Sequence, residues 1–253
     1  MSAVTRLVYF PLKSGAGIVT DYLEGGPSGI INDRQFCLYK PAEKKFISMR
    51  DIVGVSDVCV YVNADGIHVK AGGILQCFQS VSGSDDTIKV WSRDVDVIAL
   101  RGAISDFISR YLSESVILAK IKHPKNISQS FMDTGPIHII SHEALRRLSI
   151  ACQYELLDPM IFRPNIVVSE FEGDEADIQS VIINGFSFSV MERTERCTAI
   201  TVLHKKIHDT QNSHLLQKLD ESIGSDGAPF GLYLQANEDF KITEADTVKF
   251  YCK

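Results

Sequence analysis

Two short stretches hold the residues best suited to chemistry. Phe162-Arg163-Pro164-Asn165-Ile166 sets an arginine directly before a proline, and Glu195-Arg196-Cys197 sets a guanidinium beside a thiol. A cationic neighbour favours the thiolate, the form that binds soft metals or attacks. Proline disfavours helical geometry in the residue before it, so Arg163 is expected to be extended and to project from the mouth of a strand. One thiolate with two guanidiniums suits an anion and a soft metal. Lys13-Ser14-Gly15-Ala16-Gly17 adds a lysine on a loop whose glycines would let backbone amides approach an anion. By itself that loop reads more readily as a plain turn with a solvated lysine. Arg34 and Arg50 fall at the ends of two expected neighbouring strands and could extend an anion pocket. Asp133-Thr134-Gly135 could turn a hydroxyl and backbone amides towards a ligand, or be only a turn.

These residues need a rigid frame, and the hydrophobic pattern predicts one. Asn184-Gly185 lies between Val181-Ile182-Ile183 and Phe186-Ser187-Phe188-Ser189-Val190, a strong hairpin signal whose second strand runs into Arg196 and Cys197. Strands are expected over Val4 to Leu12, Gln35 to Tyr39, Lys45 to Met49, Val55 to Val62, Ile67 to Lys70, Leu75 to Val81 and Thr87 to Trp91. Further strands are expected over Pro136 to Ile140, Phe230 to Gln235 and Thr247 to Cys252. Many short strands at regular spacing indicate a barrel or sandwich. Ile104, Phe107, Ile108, Tyr111 and Leu112 recur at helical spacing, so Ala103 to Leu112 is predicted as a packing helix. Ser141 should cap a second helix with Glu143 in its first turn. Lys120 to Asp133 reads as a linker, and Gly224 to Pro229 as a loop.

A chain of 253 residues with 45% hydrophobic and 23% charged residues can bury a substantial core. The net charge of −6, with dispersed lysines and arginines, argues against a nucleic-acid binder. No apolar run approaches the ~20 residues of a membrane helix, and no signal-peptide pattern opens the chain, so a cytoplasmic protein without a membrane span is expected. The six cysteines form no C-x-x-C pair, which excludes common iron–sulfur and zinc-ribbon patterns. Cys37, Cys59 and Cys77 lie in strand patterns and are expected to be buried and inert.

Phe-Arg-Pro-Asn-Ile followed some thirty residues later by Arg-Cys-Thr resembles the molybdenum cofactor sulfurase C-terminal (MOSC) family. Within it, the chain is most similar to the branch of the mitochondrial amidoxime reducing component and its bacterial relatives. The resemblance also rests on Leu7-Val8-Tyr9-Phe10-Pro11-Leu12-Lys13-Ser14, Asn32-Asp33-Arg34-Gln35-Phe36, Ser48-Met49-Arg50, Asp133-Thr134-Gly135-Pro136 and Phe230-Gly231-Leu232-Tyr233. These occur in the family's order along almost the whole chain.

The resemblance implies a mainly β, α+β protein. An N-terminal MOSC-associated β-barrel domain would span residues 1–120 and a C-terminal MOSC β-barrel residues 121–253, with the cofactor between them. It further implies a molybdenum cofactor (Mo-molybdopterin), with Cys197 as metal ligand and catalytic centre. Lys13, Ser14, Arg34, Thr134, Gly135, Arg163, Asn165, Glu195 and Arg196 would bind the cofactor. The implied activity is reduction of small N-hydroxylated compounds, with electrons from a separate ferredoxin-, flavin- or cytochrome-type protein.

Three rivals use the same residues. Cys197 could carry a persulfide, making the protein a sulfur carrier or cofactor holder. Cys197 with His204 and His208 could bind zinc, although Lys205-Lys206 opposes a cation and four ligands are not apparent. A degenerate member could serve only as an interaction module. Departures from the family pattern keep that option open: Thr194 replaces a frequent cysteine, Leu203-His204 the Asp-Pro after Thr-Val, Gly135 a serine, and Ala245-Asp246 a Gly-Asp.

Overall fold

Alternating apolar residues place one face of nearly every strand in a core, and the strands close on themselves. In the computed structural model, residues 1–123, 130–211, 213–223 and 228–253 are described. The chain opens on β1 (Ser2–Tyr9), β2 (Ile18–Thr20), β3 (Tyr22–Gly26) and β4 (Gly29–Ile30). Next come β5 (Phe36–Lys40), β6 (Lys45–Ile47), β7 (Cys59–Asn63), β8 (Gly66–Ala71), β9 (Ile74–Phe78), β10 (Gly83–Val90), β11 (Arg93–Leu100), helix α1 (Ala103–Leu112) and β12 (Ile117–Ile121). The last stretch holds β13 (Ile137–Ser141), α2 (His142–Ala151), β14 (Ile166–Val168), β15 (Ile178–Ile183), β16 (Phe186–Glu195), α3 (Ala199–Ile207), α4 (Leu215–Ile223), β17 (Pro229–Ala236), β18 (Phe240–Thr243) and β19 (Thr247–Cys252).

The strands gather into two interleaved compact units. One comprises Met1–Tyr9, Val19–Ile31 and Thr134–Lys253; the other comprises Phe10–Ile18 and Asn32–Asp133. The cause is strand pairing. β1 lies between β19 and β14, so the first residues of the chain complete a barrel made from nearly its last half. That barrel runs β14-β13-β17-β16-β15-β19-β1 and closes through β1 and β14. Leu7, Ile139, Ile166, Val181, Phe188, Leu232 and Val248 fill it. Phe188 meets Phe240 edge-on at 5.1 Å, a favoured aromatic geometry.

The other unit contains a five-strand barrel, β10-β11-β12-β5-β6, closed by a parallel β6–β10 contact at Lys45 and Lys89. The hairpin expected across residues 41–44 forms, with Leu38 opposite Ile47. Helix α1 takes the predicted bounds and buries Ile104, Phe107 and Ile108. A separate three-stranded sheet, β7-β8-β9, completes the unit. The strand expected from Val55 begins only at Cys59, because Val53–Asp57 form a 3-10 turn closed by Val58 N–H on the Val55 carbonyl.

The expected linker over Lys120 to Asp133 and the loop over Gly224 to Pro229 lie partly outside the described residues. No helix among the described residues is long and apolar enough to cross a membrane.

Candidate functional site

The barrel holding Cys197 brings the two motif ends together. Asn184 and Gly185 both have positive φ, 50° and 88°, and join β15 to β16 with Ile183 opposite Phe186. This tight turn fixes the register of β16, which delivers Glu195-Arg196-Cys197 to the start of α3. Arg196 then reaches back across the chain. Its Nη2 donates to the Phe162 carbonyl at 2.8 Å, and its guanidinium lies 5.6 Å over the Phe162 ring. Phe162 in turn packs against Phe230, their centroids 4.2 Å apart and their planes tilted by 34°, so both motifs share one aromatic support. Cys197 itself is exposed, and its carbonyl accepts the Ile200 N–H of the first helical turn.

Arg163 departs from expectation. Its φ is +53°, left-handed rather than extended. The Arg163 N–H donates to Met160 O at 3.2 Å and ends the 3-10 turn Pro159–Ile161, a closure that outweighs the preference imposed by Pro164. Arg163 is half-buried two residues after the turn.

Asn165 is held by backbone groups on both sides of its amide. It is buried, its Nδ2 donates to Val8 O at 3.1 Å, and its Oδ1 accepts the His138 N–H at 3.1 Å. These bonds tie β1 to β13 beside the Arg163 turn, so the amide positions backbone. Glu195 is exposed at the end of β16, opposite Pro229. Thr134 is exposed, whereas Gly135 is buried against Tyr233, where a Cβ would fall 2.5 Å from the tyrosine Cβ. The missing serine at Gly135 is therefore matched by a tyrosine occupying its space.

Sequence reasoning missed Glu175 and marked Thr194 only as a departure from the family pattern. The Glu175 carboxylate accepts the Gly231 N–H at 2.9 Å and lies 3.9 Å from Arg193 Nε; burial pushes its carboxyl up, against the pull of Arg193. The hydroxyl of Thr194, fully buried, has no hydrogen-bond partner among the described residues. An acidic pair in a loop and a threonine in a strand carry no signal for either role.

His204 and His208 come together at the end of α3, ring centroids 4.8 Å apart, with Tyr154 4.4 Å from His204. Burial, then His208 and Lys218, hold His204 below its ordinary value. No third ligand joins them among the described residues.

In the other unit, Lys13 and Arg34 form part of a polar cluster with Asp33 and Asp133. Lys13 is buried, and its Nζ donates to Asp133 Oδ1 at 2.6 Å. Desolvation pulls Lys13 below its ordinary value, Asp133 pulls it back, and Arg34 opposes the charge further. For Asp133, burial would raise the carboxyl, but Lys13 and the Trp91 indole N–H at 3.0 Å outweigh it and hold it at about 2. Its stabilising effect is complete above the ordinary carboxylate value near 3.9 and is lost as pH falls through about 2. The Asp133 side chain remains 58% exposed, so solvent screens part of that attraction. Trp91 carries φ +55° and has Arg50 at 4.7 Å over its ring. Ser14 also adopts positive φ, 63°, and the Gly15 N–H is taken by Leu12 O at 2.9 Å. Gly15 is required by packing: a Cβ would meet Val58 O at 2.6 Å. Arg34 is ion-paired with Asp33 and lies 4.7 Å over the Phe10 ring.

Lys13 thus holds an internal anion where a ligand oxyanion is expected. Asp133→Asn should strengthen binding of inorganic phosphate about three- to tenfold, the worth of ~0.7–1.4 kcal/mol from one partly exposed charged hydrogen bond. Calorimetry on Asp133→Asn and on the double variant with Lys13→Ala checks this. Unchanged phosphate affinity in Asp133→Asn would show that the pair is purely structural.

The MOSC domain matches residues 126–249, and the MOSC N-terminal beta barrel domain matches residues 1–115. The chain belongs to the MOSC family. MOSC domains are associated with molybdenum cofactor binding. The YuaD protein of Bacillus subtilis has a similar fold, with a TM-score of 0.50 at 12% identity over 100% of this chain and 97% of that one. YiiM of Geobacillus stearothermophilus matches 46% of this chain and 54% of its own, with a TM-score of 0.34 at 13% identity. No curated protein sequence matches the chain. At 12% identity the likeness to YuaD is one of fold.

The donor set fits the cofactor that MOSC domains bind. An exposed thiol offers the soft ligand a dithiolene-bound molybdenum accepts, and Arg196 is held beside it by the Phe162 carbonyl.

Proposed function

We propose that this MOSC protein is a molybdenum-dependent oxidoreductase that reduces N-hydroxylated compounds, taking electrons from a separate ferredoxin-, flavin- or cytochrome-type protein. The observation that carries the reading is the Arg196–Phe162 hydrogen bond, which links the two motifs around an exposed Cys197. Cys197 would ligate the metal through sulfur. Arg163 and Arg196 would bind the anionic groups of the cofactor, with Thr134 adding a hydroxyl and Glu195 a carboxylate for the pterin's polar N–H groups. The same reading assigns Lys13, Ser14 and Arg34 to cofactor binding, with the Gly135 backbone. When bound, the cofactor supplies two-electron redox chemistry at molybdenum.

The chain's own contribution is positional. The Asn184-Gly185 turn sets the register of β16, the aromatic pair Phe162–Phe230 supports Arg196, and Asn165 anchors the strand behind Arg163. Six cysteines without a C-x-x-C pair give no iron–sulfur pattern for internal electron transfer, which supports an external donor.

Protein made in a cofactor-competent host should contain one molybdenum and one pterin per chain and should convert an amidoxime to the amidine with a reduced dye as electron source. Protein lacking molybdenum but bearing a persulfide on Cys197 would overturn this reading in favour of sulfur transfer. Protein with neither would leave an interaction module.

A further inference from the structure

We infer that Asp65, His68 and Cys77, on the three-stranded sheet β7-β8-β9, form a second metal site that takes a borderline divalent ion such as zinc. This inference is independent of the molybdenum reading. Among the described residues, they are the one trio of His, Cys, Asp or Glu whose ligand atoms all lie within 4.8 Å of one another.

Strand register builds the site. Tyr61 is opposite His68 across β7 and β8, and His68 is opposite Cys77 across β8 and β9, so the three side chains form one row on one face. Val60, Val69 and Phe78 point the other way and are buried. Cys77 was expected to be inert in the core, yet this register makes it exposed; Cys59 is half-buried, and only Cys37 of the three is fully buried. Asn63 pairs with Gly66, leaving Ala64 and Asp65 as the turn. Gly66 has φ +145°, and a Cβ there would lie 2.5 Å from Phe78 O, so the turn presses against β9 and brings Asp65 over the row.

The spacing suits a metal. His68 Nε2 lies 2.9 Å from Asp65 Oδ1, and Cys77 Sγ lies 3.8 Å from Asp65 Oδ2. Tetrahedral zinc with oxygen and nitrogen near 2.0–2.2 Å and sulfur near 2.3 Å sets its ligand atoms roughly 3.3–3.7 Å apart. Side-chain shifts of under about 1 Å therefore bring these two pairs to coordination geometry. The His68 ring is oriented by Tyr61, which stacks on it at 4.8 Å and 4°. A carboxylate, an imidazole and a thiolate select zinc-like ions over magnesium or calcium, which take all-oxygen sets. Three protein ligands leave a fourth position for water. On binding, the Cys77 S–H bond breaks, its proton goes to solvent and a sulfur–metal bond forms, with no change of oxidation state.

The test is cobalt titration of the reduced, metal-free, full-length chain, with cobalt standing in for zinc. Wild type should develop a thiolate-to-cobalt charge-transfer band that saturates at one equivalent and is displaced by zinc. Cys77→Ser should lose the band, and His68→Ala and Asp65→Asn should each weaken zinc binding by about 100-fold or more, since second-shell losses alone cost 10–100-fold. Cys197→Ser should retain the band. Circular dichroism confirms folding, the three side chains being on an outer face. The inference is overturned if wild type gives no band, or if the band survives in Cys77→Ser or disappears in Cys197→Ser.

Discussion

Cys197→Ser should reduce molybdenum content and N–O reductase activity more than 100-fold while leaving the fold intact. The magnitude follows from ligand chemistry: losing an outer-shell partner typically costs 10–100-fold in metal affinity or activity, and Cys197 would be a direct ligand. Serine is nearly the same size but offers a hard hydroxyl in place of a soft thiolate. Cys197 is exposed, between the end of β16 and the start of α3, so the change leaves no cavity. Metal analysis, turnover with a reduced dye and circular dichroism on the same preparation separate the possibilities. Full molybdenum and full activity in the variant would remove the ligand role. Retained molybdenum with lost activity would restrict Cys197 to the chemistry. Arg196→Ala acts on the neighbouring residue by breaking the bond to Phe162 O, and should lower cofactor content about 10- to 100-fold without removing a ligand.

The sequence was most legible where local chemistry decides structure. Asn184-Gly185 marks its hairpin because both residues must adopt positive φ, and α1 follows from five apolar residues at helical spacing. Ser141 caps α2 as expected, its Oγ accepting the Ala144 N–H. The illegible parts are non-local. β1 pairs with β14 more than 150 residues away, and no local signal tells Ser2–Tyr9 to complete a barrel built from the other end of the chain. β11 and β12 also went unexpected, although Val95, Val97 and Ala99 alternate, because Asp94 and Asp96 between them resemble a polar loop.

The candidate site divides in the same way. Residue types marked Cys197 and Arg196, and the structure adds the Phe162 contact that joins the two motifs. The same motif misleads about the backbone at Arg163 and gives no sign of the backbone bonds at Asn165. A turn closed by Met160 O decides the first, and hydrogen bonds to Val8 and His138 engage the second. Asp133 and Trp91 illustrate a further limit: a cation identified by type can already have an internal partner far along the chain. Cys77 shows the converse, since strand membership was read as burial when register places it outside.

Asp33→Ala should destabilise the unit that contains it by about 3–5 kcal/mol. Asp33 is buried, with its Oδ1 accepting the Phe10 N–H at 2.6 Å and its Oδ2 paired to Arg34. Arg34 is itself only 17% exposed and has φ +48°, so the carboxylate holds a largely buried guanidinium on a strained turn. Alanine leaves that charge and the Phe10 amide without their common acceptor, and breaking a buried pair from one side costs in this range. Asp33→Asn keeps an acceptor for Phe10 and removes only the charge, so its loss should be smaller. Trp91, the single tryptophan of the chain, lies in the same unit, which makes fluorescence-detected urea unfolding a local reporter. A fall in midpoint at constant slope, larger for alanine than for asparagine, is the expected result. A loss under about 1 kcal/mol for Asp33→Ala would mean that solvent replaces the carboxylate readily. In that case the Arg34 turn would owe its shape to the packing of Phe10 rather than to charge.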